Sequence, residues 1–173
     1  MLEIKYDYLI LRGNIGVGKT TTLKKLIPYF HKSRINFALI DCGELRKYIG
    51  DKEPSYKNRV LCAKNTILLA NSFIQEGYFT LLEWVLADQD LLDQMKKQIS
   101  GEGKLIRLSC SLEQNLIRNK CPNRMWPGSI DKIVYINNLF EKNKPYNLNE
   151  TLIDNNLLSA EEVANQIINL IKK

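Results

Sequence analysis

The run Gly13-Asn14-Ile15-Gly16-Val17-Gly18-Lys19-Thr20 fits the spacing G-x-x-x-x-G-K-[ST], a pattern whose chemistry is the binding of a polyphosphate. Glycines let backbone N–H groups approach phosphate oxygens, Lys19 is placed to reach the β- and γ-phosphates, and the Thr20 hydroxyl is a ligand for Mg²⁺. Thr21 continues the loop into a helix whose N-terminal dipole favours an anion. From ordinary residue frequencies the four fixed positions arise by chance in roughly 0.5% of chains of this length. A tight turn before a helix with a solvated lysine is the plain alternative, and that frequency weighs against it. Nucleotide binding is the expectation.

Carboxylates and arginines elsewhere fall where such a site needs them. Asp41 and Glu83 each end an apolar run, Phe37-Ala-Leu-Ile-Asp41 and Phe79-Thr-Leu-Leu-Glu83. Phosphoryl transfer requires a carboxylate to orient the acceptor hydroxyl. Asp41 ranks first as that base, Glu83 second and Glu44 third, with Glu83 also a candidate to hold Mg²⁺ or touch the acceptor. The plain readings are a turn Asp before a helix for Asp41 and a strand-end cap for Glu83. Arg118 and Arg124 bracket a Pro- and Gly-bearing stretch and are candidates to clamp the transferring group and stack on a base; solvated surface arginines are the alternative. Arg46 is a candidate for an anionic group of the acceptor or a helix-surface residue. Trp84 is a candidate for stacking on the acceptor, with core packing as the competing role.

The elements that must position these residues alternate in type. Tyr8–Arg12, Phe37–Asp41, Phe79–Glu83, Lys104–Ser109 and Thr151–Asp154 read as five short buried strands. Between them lie helical patterns over Thr20–Lys32, a long stripe on Val60, Ala63, Ile67, Ala70 and Ile74 ended by Gly77, then Asp88–Ile99, Ser111–Arg118 and Ile130–Glu141, and finally a helix opened by the Ser159/Glu162 capping box. Strands separated by helices predict an α/β fold with a parallel sheet covered on both faces and ligands at the carboxyl ends of the strands.

Composition sets the frame. With 173 residues, 45% hydrophobic and 25% charged, the chain suits one globular domain over 1–173, able to bury about 70% of its unfolded surface without disulfides. The net charge of +6 suits anionic ligands without the concentration of a duplex-binding module. Cys42, Cys62, Cys110 and Cys121 are irregularly spaced and offer no zinc pattern. With no long apolar stretch, a cytoplasmic protein without membrane contact is expected.

Function class follows by comparison of motifs. A guanine-reading switch calls for Asn-Lys-x-Asp, and Asn119-Lys120-Cys121-Pro122 lacks the aspartate. A mechanical ATPase calls for adjacent strand-end acids and further domains. The chain instead resembles the small P-loop kinases of the nucleoside/nucleotide kinase-like group, among them adenylylsulfate kinase, chloramphenicol phosphotransferase and the kinase domain of polynucleotide kinase. Ile40-Asp41-Cys42-Gly43-Glu44-Leu45-Arg46 is similar to the Asp-Gly-Asp-x-x-Arg segment after strand two of several of these enzymes, with Gly43 at the second aspartate and Glu44 beside it. Arg118 and Arg124 fall in a region similar to their arginine-bearing lid, at about residues 119–130. The resemblance implies a three-layer P-loop fold with a small lid, ATP and Mg²⁺ as cofactors, and transfer of the γ-phosphoryl group to a hydroxyl or phosphate acceptor on a small molecule or nucleotide. A polynucleotide 5′-hydroxyl kinase and a nucleotide-binding regulatory module are the alternatives. No recognisable code for the acceptor occurs between Leu45 and Lys57 or around Trp84.

Overall fold

In the computed structural model, which describes residues 3–49, 55–121, 128–142 and 149–173, five strands form one parallel sheet. They are β1 (Tyr8–Arg12), β2 (Phe37–Asp41), β3 (Phe79–Trp84), β4 (Gly103–Ser109) and β5 (Glu150–Asp154), in spatial order β2-β3-β1-β4-β5. The helices are α1 (Lys19–Lys32), α2 (Cys42–Lys47), α3 (Tyr56–Gln75), α4 (Gln89–Gln98), α5 (Leu112–Asn119), α6 (Ile130–Lys142) and α7 (Ala160–Ile171). The predicted α/β three-layer architecture is the one observed.

Strand parity assigns the layers. Leu9 and Leu11 of β1 point to one face, where they join Leu23, Leu26 and Phe30 of α1 and Val163, Ile167 and Ile171 of α7. Tyr8 and Ile10 point to the other, where Cys62, Ala63, Ile67 and Ala70 of α3 meet Leu91, Leu92 and Met95 of α4. The stripe read from Val60 to Ile74 is therefore the buried side of α3, with Val60 and Ile74 packed at its edges. The last helix begins as its sequence predicts: Ser159 accepts from Glu162 N, and the Glu162 carboxylate accepts from the Ser159 backbone.

Helix α2 was absent from the sequence pattern. Six residues are too few to show a 3.6 period, and a local side-chain bond starts it: Asp41 Oδ1 accepts from Gly43 N at 2.8 Å and Glu44 N at 3.0 Å.

One buried charge ends the apolar run of β1. Arg12 is 1% exposed, and its guanidinium pairs in two contacts with Glu150 of β5, whose side chain is equally buried, while NH1 donates to Leu86 O at 2.9 Å. The fork geometry satisfies a charge that would otherwise be costly there, and it ties the strand before the glycine loop to the far edge of the sheet. The stretch expected to form a lid, at about 119–130, runs from the last residue of α5 to the first of α6. Its ends are joined by Asn119, whose amide donates to Gly128 O at 2.7 Å and accepts from Gly128 N at 2.9 Å. Residues 122–127, with Arg124, lie outside the described residues.

Candidate active site

The glycine loop leaves β1 at the centre of the sheet's carboxyl edge and enters α1, which is the context its motif requires. Two of its glycines are obligatory on geometric grounds. Gly13, at φ +153°, has room for no side chain, since a Cβ would sit 2.4 Å from Leu108 O and 2.9 Å from Val17 Cγ1. Gly18 caps α1 in a left-handed conformation at φ 104°. Lys19 is 6% exposed and turns back onto the loop, its Nζ donating to Gly13 O and Asn14 O at 3.1 Å each. Asn14 does not face the cleft with its amide: Nδ2 donates to Ile133 O of α6 at 3.1 Å, and Oδ1 accepts from Ile15 N. Val17 is buried, whereas Ile15, Gly16, Gly18, Lys19, Thr20 and Thr21 all line a cleft of about 640 Å³, a size usual for small-molecule sites.

Three carboxylates line the same cleft. Thr20 Oγ1 donates to both oxygens of Glu83, at 3.0 and 3.2 Å, and Lys19 Nζ stands 4.0 Å from Glu83 Oε1. Burial pushes the Glu83 carboxyl above its ordinary range; Lys19 and the Thr20 hydroxyl pull it down, and the neighbouring charge of Asp41 pushes it up. Asp41 is next to Glu83 because the two strands pair Asp41 with Glu83 in register. One oxygen of Asp41 caps α2, so the plain turn reading describes part of its role, and Oδ2 has no partner among the described residues. Glu44 also lines the cleft and pairs with Lys47 at 2.5 Å. Thr20 and Glu83 are hard oxygen donors of the type that could hold Mg²⁺.

The other candidates are placed differently. Arg118 lines the opposite end of the cleft, but its guanidinium is committed to the β5–α7 connection: NH1 donates to Asn155 Oδ1 at 3.1 Å and NH2 to Asn155 O at 2.8 Å. Trp84 is 7% exposed and packs in the core with Ile10, Ile40 and Leu86, and neither it nor Arg46 lines the cleft.

Asn155 is the residue that motif reasoning missed. It is 4% exposed, lines the cleft, and besides receiving Arg118 it donates from Nδ2 to Val17 O of the glycine loop. Its one sequence signal is position, directly after the carboxyl end of β5. Asn155→Ala leaves Val17 O and Arg118 without that side chain, and the loss of buried hydrogen bonds is expected to cost about 1–3 kcal/mol of stability and to weaken nucleotide binding. Thermal melting with and without nucleotide checks this; an unchanged melting temperature in both states means the bridge carries no load.

No protein-family model and no curated protein matches the chain. Solved structures do. A sugar kinase from Janibacter sp. superposes with a TM-score of 0.74 at 12% identity, covering 94% of this chain and 92% of that one. An APS kinase from Mycobacterium tuberculosis, solved with AMPPNP and APS, gives 0.70 at 15% identity over 94% and 95%. A shikimate kinase from Acinetobacter baumannii, solved with shikimate, gives 0.62 at 17% over 94% and 91%. With the glycine loop at the carboxyl edge of a five-stranded parallel sheet and these neighbours spanning nearly the whole of it, the chain has the three-layer α/β fold of the small P-loop kinases.

Proposed function

We propose that this chain is a single-domain ATP-dependent phosphotransferase that moves the γ-phosphoryl group of Mg-ATP to a hydroxyl or phosphate acceptor on a small molecule or nucleotide. The observation that carries the reading is the meeting of Lys19, Thr20 and Glu83 at the mouth of the glycine loop, with Asp41 beside Glu83 in register. It is supported by the neighbours of the same fold, whose names are those of kinases and one of which holds AMPPNP and APS.

Each residue has a task that its geometry permits. The Nζ of Lys19 exchanges the carbonyls of Gly13 and Asn14 for β- and γ-phosphate oxygens, while the loop N–H groups hold the rest of the polyphosphate. Thr20 and Glu83 would hold Mg²⁺, which would neutralise charge on the phosphate oxygens. Asp41 receives the acceptor's proton on Oδ2 as the acceptor oxygen forms its bond to phosphorus and the bond to the departing nucleoside diphosphate breaks. At the other end of the cleft Leu158, Ala160 and Val163 give an apolar wall facing Thr21, Lys24 and Arg118, which suits the flat, partly polar ring of a base.

The test is ATP consumption across a panel of nucleosides, nucleotides, sugars, sugar acids, antibiotics and 5′-hydroxyl oligonucleotides. Consumption is expected to rise only when a small acceptor is present. Turnover confined to the oligonucleotides makes the chain a polynucleotide kinase, and nucleotide binding without turnover anywhere in the panel makes it a regulatory module.

A further inference from the structure

Asn14 stands inside the glycine loop, yet it is buried and does not line the cleft that its neighbours Ile15 and Gly16 line. Both ends of its amide are engaged: Oδ1 accepts from Ile15 N at 2.7 Å, and Nδ2 donates to Ile133 O in the first turn of α6 at 3.1 Å. An N–H partner and a carbonyl partner fix the amide in that one orientation. The residue thus ties the loop to a carbonyl 119 positions along the chain. In turn α6 is fixed to the sheet. The Phe140 ring lies 5.6 Å from the guanidinium of Arg12 and 4.5 Å from that of Arg107, register partners on β1 and β4, and Ile136 packs with Ala87 after β3.

The bond to Ile15 matters because of the peptide it holds. The carbonyl of Asn14 and the N–H of Ile15 are the two ends of one planar unit. Its oxygen accepts from Lys19 Nζ at 3.1 Å and, in a long contact of 3.4 Å, from Val17 N. When Lys19 exchanges that oxygen for phosphate, the long contact is what remains at one end, and the Asn14 side chain becomes the chief restraint at the other. The unit carries Ile15, whose side chain lines the cleft and packs with Val85 against the Ile136 and Phe140 side of α6. There is little slack: a Cβ at Gly128 would stand 3.1 Å from Ile15 Cγ2. Val85 lies two residues after Glu83 and lines the same cleft, so Ile15 borders its carboxylate end.

We propose that Asn14 is a positioning residue for phosphoryl transfer: through Nδ2 it anchors the Asn14–Ile15 peptide to α6 and holds that part of the loop once Lys19 has turned to the phosphates. This rests on the kinase reading. The nucleotide is held by Lys19 and by the loop N–H groups from Gly16 onward, which the Asn14 side chain does not touch. What it sets is Ile15, beside the carboxylates where acceptor and γ-phosphoryl meet. Its weight therefore falls on the rate of transfer, in which a misplacement of about 1 Å can cost on the order of a hundredfold, and little on nucleotide affinity.

Two variants separate the bonds. Asn14→Ala removes both, and Asn14→Asp keeps an acceptor for Ile15 N but, once ionised, has no donor for Ile133 O. Both are expected to lower kcat about tenfold or more while the KM for ATP stays within about twofold. In Asn14→Asp the loss should reverse as pH falls and the protonated acid regains a donor, a recovery that Asn14→Ala lacks. A second readout needs no turnover: amide exchange of Ile15 with and without Mg²⁺ and a non-hydrolysable ATP analogue. In the wild type that exchange stays slow in both states. In ionised Asn14→Asp the analogue should speed it about tenfold or more, whereas without analogue Lys19 still holds the peptide oxygen and exchange stays near that of the wild type. Thermal melting shows that the variants fold, and Asn14→Asp carries the test if Asn14→Ala does not. An unchanged kcat in the folded variants, or Ile15 exchange in Asn14→Asp that is the same in both states, makes Asn14 a structural tie alone and overturns the inference while the kinase reading stands. Wild-type ATP consumption that no acceptor in the panel raises overturns the kinase reading and the role in transfer with it.

Discussion

Lys19→Ala is expected to slow phosphoryl transfer at least a hundredfold, about 2.7 kcal/mol in the barrier, while the protein still folds. The size of the effect follows from where the charge sits. Lys19 is 6% exposed and held at the loop by the carbonyls of Gly13 and Asn14, so once its ammonium has exchanged them for phosphate oxygens on binding, it is in place when charge spreads over the γ-phosphoryl oxygens. The fold loses less, because Gly13 O and Asn14 O each give up one hydrogen bond, a net cost on the order of 1 kcal/mol apiece. The variant carries a second signature. Lys19 is the largest influence drawing the Glu83 carboxyl down against its burial, so removing it should move the acidic limb of any residual activity to higher pH. Turnover against pH and the melting temperature are the measurements. Near wild-type turnover with a true acceptor means that this loop is not the catalytic phosphate cradle.

The sequence carried the architecture because each strand is a short apolar run cut off by a strong boundary. Gly13 ends the first and a carboxylate ends the second, and the buried stripe of α3 is long enough to show its period four times over. The glycine loop was legible for a different reason: a polyphosphate cradle fixes residue type at each position. Where the local pattern ran out, long-range geometry decided. The adjacency of Asp41 and Glu83 is a register between β2 and β3, segments some forty residues apart, and no spacing encodes it. Asn155 acts through a backbone carbonyl 138 positions away, and any residue can supply a carbonyl, so its partner leaves no trace in the sequence. Trp84, open in the sequence to stacking on the acceptor or to core packing, takes the core role, since successive strand residues face opposite ways and its ring lies with Ile10, Ile40 and Leu86. Arg118 lines the cleft, and the contact of its guanidinium with Asn155, 37 positions away, is likewise encoded in no spacing.

Asp41→Asn should leave nucleotide affinity nearly unchanged and lower turnover by a factor on the order of 10² to 10⁴. Asparagine keeps an Oδ1 able to accept from Gly43 N and Glu44 N, so the start of α2 is preserved and the substitution removes the proton acceptor without the helix cap. Alanine at the same place would confuse the two losses. Glu83→Gln should behave differently, because a neutral amide beside Thr20 no longer draws in a hard cation; the apparent affinity for Mg²⁺ should fall together with the rate. The two are also separable by pH. Burial holds the Glu83 carboxyl protonated above its ordinary value of 4.5, so the acidic limb of kcat/KM, which reports the free enzyme, should lie above that value in the wild type. Because the folded chain keeps that proton where the unfolded chain has released it, stability of the nucleotide-free protein should fall as pH rises from 4.5 through the raised value, and Glu83→Gln should remove that slope. In Asp41→Asn the slope should survive in weakened form, since the negative charge that pushed Glu83 upward is gone and its carboxyl titrates lower. Should Glu83→Gln keep its Mg²⁺ affinity and lose only turnover while Asp41→Asn loses neither, Glu83 is the base and Asp41 is the cap of α2 alone.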